Sequence, residues 1–255
     1  MKINKLMNAI ILTKITLLLS IIFSYSQSTP PYTWQQISGN WSVVSDNKES
    51  YLRENRSKSY SFDYSPLINL NSLISTSDYD FTSITHTVAI YSPADGATYL
   101  TFFAASDYRQ FYAVQFTGTT NSITTIQIIK SDIKDTTLPK QAKGNFTITT
   151  LATKEIKLEY GRVYALTITA EGKTVTVAID NAQVLSHTID EELEGGKIGF
   201  ASKNCIPIID NLKVYKGKEI IFEDDFSKES IRKIVLQGKK LTPQEVEERK
   251  KKDKK

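Results

Sequence analysis

Across residues 158–215 apolar and polar positions alternate with the period of two that a half-buried strand requires. Tyr164, Leu166 and Ile168 fall on one face of the first run, and Val163, Ala165, Thr167 and Thr169 on the other. After Glu171, Gly172 and Lys173 the alternation resumes with Val175, Val177 and Ile179 inward and Thr174, Thr176 and Ala178 outward, which predicts a tight antiparallel hairpin. Asp180 and Asn181 predict an Asx-type turn, because their short side chains bond back to the chain. Residues 184–189 predict the return strand. Gly195 and Gly196 supply the freedom for a sharp turn into a strand over 197–201, and 208–215 closes the set, with Leu212 and Val214 on the face of Asp210.

Residues 33–146 are strand-rich and punctuated by turns. Tyr60, Phe62 and Tyr64 share one face of an aromatic stripe. Strands are predicted over 81–91 and 98–104, separated by the turn Pro93, Ala94, Asp95, Gly96, and over 111–116, with Tyr112, Val114 and Phe116 on one side. Residues 123–130 and 146–151 read as further strands around a polar loop at 131–144, while 149–157 shows no clear pattern. The period is two almost throughout, so the fold class is all-β, an antiparallel β-sandwich.

Three stretches carry a resemblance. The first is the succession Y-x-L-x-I, G-x-x-V-x-V-x-I-D, G-G-K-I-G-F and I-D-N-L-K-V-Y. The second is the W-x-x-x-x-G-x-W-x-V opening from Trp34 to Val43, and the third is F-x-D-D-F from Phe222 to Phe226. Together they resemble the concanavalin A-like lectin and glucanase superfamily, nearest to its laminin-G-like and keto-disaccharide-hydrolase-like (DUF1080) branches. The resemblance implies a jelly roll over about residues 34–227. In such domains the aspartate strand commonly precedes the Trp opening, whereas here it follows the last strand, either pairing at an edge or beginning an uncompleted repeat. The fold hosts lectins, hydrolases and adhesive modules alike, so the site must decide the function.

Ahead of the sandwich, Lys2 and Lys5 precede an apolar stretch over 15–23, and Ser24-Tyr25-Ser26 suits a signal peptidase. The expected organisation is a signal peptide at 1–26, a β-sandwich at 27–227 and a basic tail at 228–255. Lys14 interrupts the apolar stretch, which falls short of the ~20 residues of a spanning helix, and no second such run follows. Cys205 is the single cysteine, so no internal disulfide forms. An exported chain of this kind points to a bacterium, with the protein secreted, periplasmic or on the outer cell surface.

The formal net charge of +4 is unevenly laid out. Lys2, Lys5 and Lys14 belong to the leader, and residues 239–255 hold eight Lys or Arg against four Asp or Glu, which leaves the sandwich acidic. That balance argues against a nucleic-acid partner. Thr242, Pro243 and Glu245 predict a short helix start, and the lysine-rich end that follows is either a solvated tail or a contact for anionic surfaces.

Candidate chemistry is sparse. The turn Asp107, Tyr108, Arg109 combines a flat ring, a carboxylate and a guanidinium, the groups that stack on and hydrogen-bond to a sugar. The plain alternative is a polar hairpin whose tyrosine covers its own stem. Glu223, Asp224 and Asp225 form an acidic cluster, and with Asp210 they give Asp210, Asp224 and Asp225 as candidate Ca²⁺ ligands, the alternative being carboxylates that satisfy backbone donors. No catalytic residue is assigned: G-x-S-x-G and H-E-x-x-H are absent, and His86 and His187 sit singly in strand patterns. The expected function is a non-catalytic carbohydrate-binding or adhesive module recognising a cell-surface glycan. A glycoside or keto-disaccharide hydrolase and a structural envelope protein are the alternatives.

Overall fold

The computed structural model describes residues 33–46, 49–55, 70–91, 93–106, 109–137, 145–193, 195–227 and 231–233. The predicted leader, the Tyr60–Phe62–Tyr64 stripe and the helix start at Thr242 lie outside these residues. In chain order the strands are β1 (Trp34–Gln36), β2 (Trp41–Asp46), β3 (Glu49–Glu54), β4 (Asn71–Ser75), β5 (Ser83–Tyr91), β6 (Ala97–Ala105), β7 (Phe111–Gly118) and β8 (Ile123–Asp132). They continue with β9 (Thr147–Leu158), β10 (Tyr164–Glu171), β11 (Thr174–Ile179), β12 (Ala182–Thr188), β13 (Lys197–Lys203), β14 (Ile206–Lys216), β15 (Glu219–Asp224) and β16 (Ile231–Lys233). Sheet A has the order β16-β1-β4-β13-β6-β7-β8-β9, and sheet B the order β12-β11-β10-β5-β14-β3-β2, with β15 paired to β14. The sheets pack face to face as an antiparallel sandwich; among the described residues β1 and β16 alone run parallel.

The sandwich core follows from the alternation. Tyr164, Leu166, Ile168, Val175, Val177 and Ile179 are all buried, while Val163, Ala165 and Thr174 are exposed. Each such apolar side chain contributes about 1.5–3 kcal/mol by leaving water. Two features depart from the sequence reading. Residues 149–157 are not a connector but most of β9, a twelve-residue strand at the edge of sheet A. Asp210 does not share a face with Leu212 and Val214: Asn211 takes φ +54° at a register shift in β14, so Ile209 is buried on one side of the bulge and Leu212 and Val214 on the other. The bulge divides β14 between partners, with β3 opposite Ile208 and Ile209 and β15 opposite residues 212–216.

The aspartate strand that follows the last predicted strand is β15, and it meets the Trp opening in space. Trp34 is fully buried, with its ring centroid 5.5 Å from that of Phe200 and 6.2 Å from that of Phe226. Its Nε1 donates to Asp224 Oδ2 at 2.8 Å, and Asp224 Oδ1 accepts from the amide of Phe226 at 2.8 Å. Beside them Trp34 pairs with Ile231 of β16. Beside the same strand end, where the Tyr79 ring centroid lies 4.8 Å from that of Phe222 on β15, Gly195 and Gly196 let the chain pass Tyr79 with reciprocal backbone bonds of 2.9 Å, at φ +89° and +131°. A Cβ on Gly195 would lie 2.3 Å from Tyr79 O, so the pair of glycines is obligatory there.

His86 is buried between the sheets. Its Nε2 lies 2.9 Å from Thr101 Oγ1, which also meets Tyr99 OH at 3.0 Å, and the rings of Tyr99 and Phe200 stand edge-on to it. Burial pushes its pKa down to about 4, only partly offset by the Thr87 carbonyl 3.3 Å from Nδ1. The imidazole is thus a neutral core group. Because the folded value lies below the unfolded one, the unfolded chain takes up the proton first as pH falls. The stability involved is complete above about pH 6.5 and is lost as pH falls towards 4.

Two predictions follow from these contacts. Urea unfolding of the parent and of His86→Leu, compared at about pH 7 and about pH 4.5, will show the parent losing on the order of 2–3 kcal/mol more than the variant; equal losses would assign the acid response to another group. Asp224→Ala, which strands the Trp34 and Phe226 donors, will lower stability by about 1–3 kcal/mol, and Trp34→Phe in that background will cost less than in the parent. Additive losses in the double mutant would show that the contact carries no coupling.

Candidate functional site

Asp107 and Tyr108 lie outside the described residues, and Arg109, their neighbour, is 6% exposed. Its carbonyl accepts from Ser131 Oγ at 2.5 Å, and the turn is closed by Ser106 N donating to Gln110 O at 3.1 Å. The Arg109 side chain is therefore packed into the stem rather than presented at the tip. Around this turn a polar cluster gathers from distant parts of the chain. Gln110 Nε2 donates to Asp132 Oδ1 at 2.9 Å, and Lys130 Nζ lies 3.3 Å from Asp132 and 2.7 Å from Glu191. Tyr112 OH donates to the same Glu191 oxygen, and Lys130 stands 5.5 Å from the Tyr112 ring centroid.

Register explains half of this cluster, since Tyr112 on β7 lies directly opposite Lys130 on β8. Glu191 comes from the loop after β12. Its hydrogen bond with Lys130, then that from Tyr112, hold its carboxyl below the ordinary range. For Asp132 burial acts upward, but donation from Gln110, the Ile133 amide and Lys130 outweighs it and the net shift is downward. Burial first, and then the bond to Glu191, push the Tyr112 hydroxyl up to about 12. Both carboxylates are thus ionised and share one ammonium, so neither is a proton donor near neutral pH. At 48% and 55% side-chain exposure the ion pairs themselves contribute little, and the arrangement chiefly ties the β12–β13 loop to β8.

The candidate metal ligands lie at the β14 bulge and the end of β15. Burial raises the Asp224 carboxyl against the bonds from Trp34 and Phe226, with Asp225 adding to the rise. Burial likewise raises Asp210, opposed by the Asn211 amide, while Glu49, Asp225 and Asp224 repel its charge. These acids sense one another, but their oxygens are engaged by protein donors. Asp210 accepts from the Asn211 amide at 2.6 Å and from its side chain at 3.0 Å, and Asp225 accepts from the Ser227 amide at 2.9 Å. Among the described residues no three Asp, Glu, His or Cys side chains come together as a cation set.

A third surface was not anticipated. The alternation that sends Val114, Phe116, Ile126 and Ile128 into the core sends Gln115, Thr117, Thr125 and Gln127 to the outer face of sheet A. There Gln115 Nε2 donates to Gln127 Oε1 at 3.1 Å, and Gln127 Nε2 donates to Thr153 Oγ1 at 3.2 Å, a side-chain ladder across β7, β8 and β9. Thr117 and Thr125 hydroxyls bond to each other one rung along, with Glu155 opposite Thr125. The same outer face turns apolar toward β4, where Leu100, Phe102, Phe111, Ala113, Ile129 and Ala201 form a second buried cluster with Ile37 and Leu70 packed on it. The sequence did hold a sign of that cluster. The run from Leu100 to Ala104, broken only by Thr101, has apolar residues at both odd and even positions, as befits a strand covered on both faces. Nothing in sequence spacing marks the ladder, because its rungs are 12 and 26 residues apart.

No family model and no curated protein matches the chain. Among solved structures it is similar to a family 66 carbohydrate-binding module from Bacillus subtilis, with a TM-score of 0.52 and 12% identity over 72% of this chain and 96% of that one. It is also similar to a glycoside hydrolase family 16 endo-glucanase from Bacteroides ovatus, with a TM-score of 0.50 and 9% identity over 74% of this chain and 97% of that one. These likenesses, with the two antiparallel sheets, show an all-β sandwich of the jelly-roll kind.

Proposed function

We propose that this chain is a non-catalytic carbohydrate-binding β-sandwich module that works outside the cell, and that its contact surface is the polar half of the outer face of sheet A. The observation that carries the reading is the Gln115–Gln127–Thr153 ladder. It presents amide and hydroxyl groups, each both donor and acceptor, on a solvent-facing sheet, and sugar hydroxyls are recognised by such pairs. Side-chain bonds between the rungs hold them in place before a ligand arrives, which lowers the ordering cost of binding. The similarity to a carbohydrate-binding module supports the same class.

The distribution of acids favours binding over hydrolysis. Cleavage of a glycosidic bond takes two carboxyls about 5–10 Å apart, one of them protonated. On the outer face of β4, β13, β6, β7 and β8 the described residues include no Asp or Glu, and Glu155 on β9 is the first met going outward. Asp132 and Glu191 both have lowered pKa values, and Asp224, whose value is raised, has each oxygen bonded to the protein.

Binding isotherms on a panel of neutral polysaccharides, with and without added calcium, test this reading. Gln127→Ala is expected to weaken the bound sugar roughly 3- to 10-fold at unchanged stability, and Tyr108→Ala reports on the turn. Loss in Tyr108→Ala with Gln127→Ala unaffected would move the site to the turn. Absence of binding to every polymer, or release of reducing ends on incubation, would defeat the proposal.

A further inference from the structure

An edge strand offers a row of unpaired N–H and C=O groups, and proteins blunt such edges with charge, proline, brevity or a bulge. The edges of this sandwich are unequal in that respect. β16 spans three residues, β15 carries Glu219, Glu223 and Asp224, β12 is met by a register shift at Val177 and Ala178, and β2 has Trp41 buried, Ser42, Val43 and Val44 half-buried, and Asp46 at its end. β9 is the longest strand, paired to β8 alone. Its second half is guarded by Lys154, Glu155 and Lys157. Its first half, from Thr147 to Thr150, has no charge, no proline and no glycine; every residue is β-branched and every one is exposed. Ile148 is 47% exposed, one of the largest apolar side chains left in water.

We propose that this half of β9 is a self-association edge, where a second copy of the chain pairs antiparallel to join two sheets A into one. The geometry limits how it can do so. A two-fold axis normal to the sheet keeps the two outer faces on the same side, so residues facing each other must share a face, and the axis passes beside a residue rather than between two. Centred on Ile148, the pairing sets Ile148 against its symmetry mate and Thr147 against Thr149, burying the exposed isoleucine. The extra residue in β9 at Leu151, where the register with β8 shifts, ends the run, so the ladder is short and the dimer concentration-dependent. Charge agrees with this placement, because Lys154, Glu155 and Lys157 fall beyond the paired residues.

A functional consequence rests on the reading given above for the polar face. Thr153, the last rung of the amide ladder, lies on β9 itself. Pairing through β9 therefore puts the ladders of two copies on one continuous face, staggered along the strands by about 33 Å, so that a polymer long enough to span them is held at two points and binds more tightly than to either alone.

Cys205, the single cysteine, is buried, so a thiol introduced on the surface is the reactive one. Ile148→Cys is expected to oxidise to a covalent dimer in air, since directly opposed Cβ atoms on paired strands lie about 4.5–5.5 Å apart. Lys157→Cys, on the same strand beyond the paired run, is expected to stay monomeric. Sedimentation of the cysteine-parent chain should show a reversible monomer–dimer equilibrium that Ile148→Lys weakens at least about tenfold while leaving the circular dichroism unchanged. A single monomeric species at every concentration, equal cross-linking of the two cysteine variants, or an equilibrium indifferent to Ile148→Lys would each overturn the proposal. These readouts need no sugar, so their failure is separate from that of the binding site.

Discussion

The buried contact between Trp34 and Asp224 joins residues 190 positions apart, and much of the architecture depends on it. A single indole N–H bonded to a carboxylate in a place where water is scarce forces β1 and the end of β15 to the same depth in the sandwich. Phe226, whose ring packs on Trp34 and whose amide holds the other Asp224 oxygen, takes φ +53°, a strained value for a bulky residue that only such packing would maintain. From there the chain returns as β16 beside β1, so the first and last of the described strands meet at one group of aromatic rings. The F-x-D-D-F stretch and the Trp opening, far apart in sequence and in unusual order, are thus partners in space, and the order of the two motifs matters less than their contact.

The hairpin of β10 and β11 could be read from the chain because each strand has one wet face and one dry face, and its inward residues are those that a period of two selects. Three kinds of feature escaped that logic. β9 has alternation too weak to register, since an edge strand buries little on either side. At Asp210 and Asn211 the bulge resets the phase, so counting by twos from Val214 assigns the wrong face to Asp210. In β4, β6 and β13 both faces are covered, and the resulting apolar runs identify strands without saying what lies over the outer face. The site was less legible still. Gln115, Gln127 and Thr153 are unremarkable polar residues until the registers of β7 with β8 and β8 with β9 set them in a row, and the turn at Arg109 looked exposed only because a guanidinium is seldom packed into a stem.

Charge placement separates what holds the fold from what meets a partner. Lys130 pairs with Asp132 and Glu191 together, and Asp210, Asp224 and Asp225 accept from backbone, side-chain amide and indole donors. These acids are committed to loops and strand ends, and the raised values of Asp210 and Asp224 record the cost of burying them close to one another. The rungs on sheet A, by contrast, are uncharged and made of groups that both give and accept hydrogen bonds. A surface of that kind suits a neutral polyhydroxylated ligand, because no counterion has to be displaced and no fixed charge is desolvated on contact.

The apolar and polar halves of the outer face also bear on how the polar half stays rigid. The dry cluster around Phe102 and Ala113 fixes β6 and β7 from both sides, and β8 is fixed through Ile129 in the same way, so the backbone carrying Gln115 and Gln127 has little freedom to move. Toward β9 that support ends on the outer face: Leu151, Ala152, Ile156 and Leu158 pack against the core, but the rung itself, Thr153, is exposed. If a second copy extends the sheet there, the missing support on the open side of β9 is supplied by its mate. Pairing would then stiffen the one rung that the fold leaves loose, so self-association and ligand binding would each favour the other through the same strand.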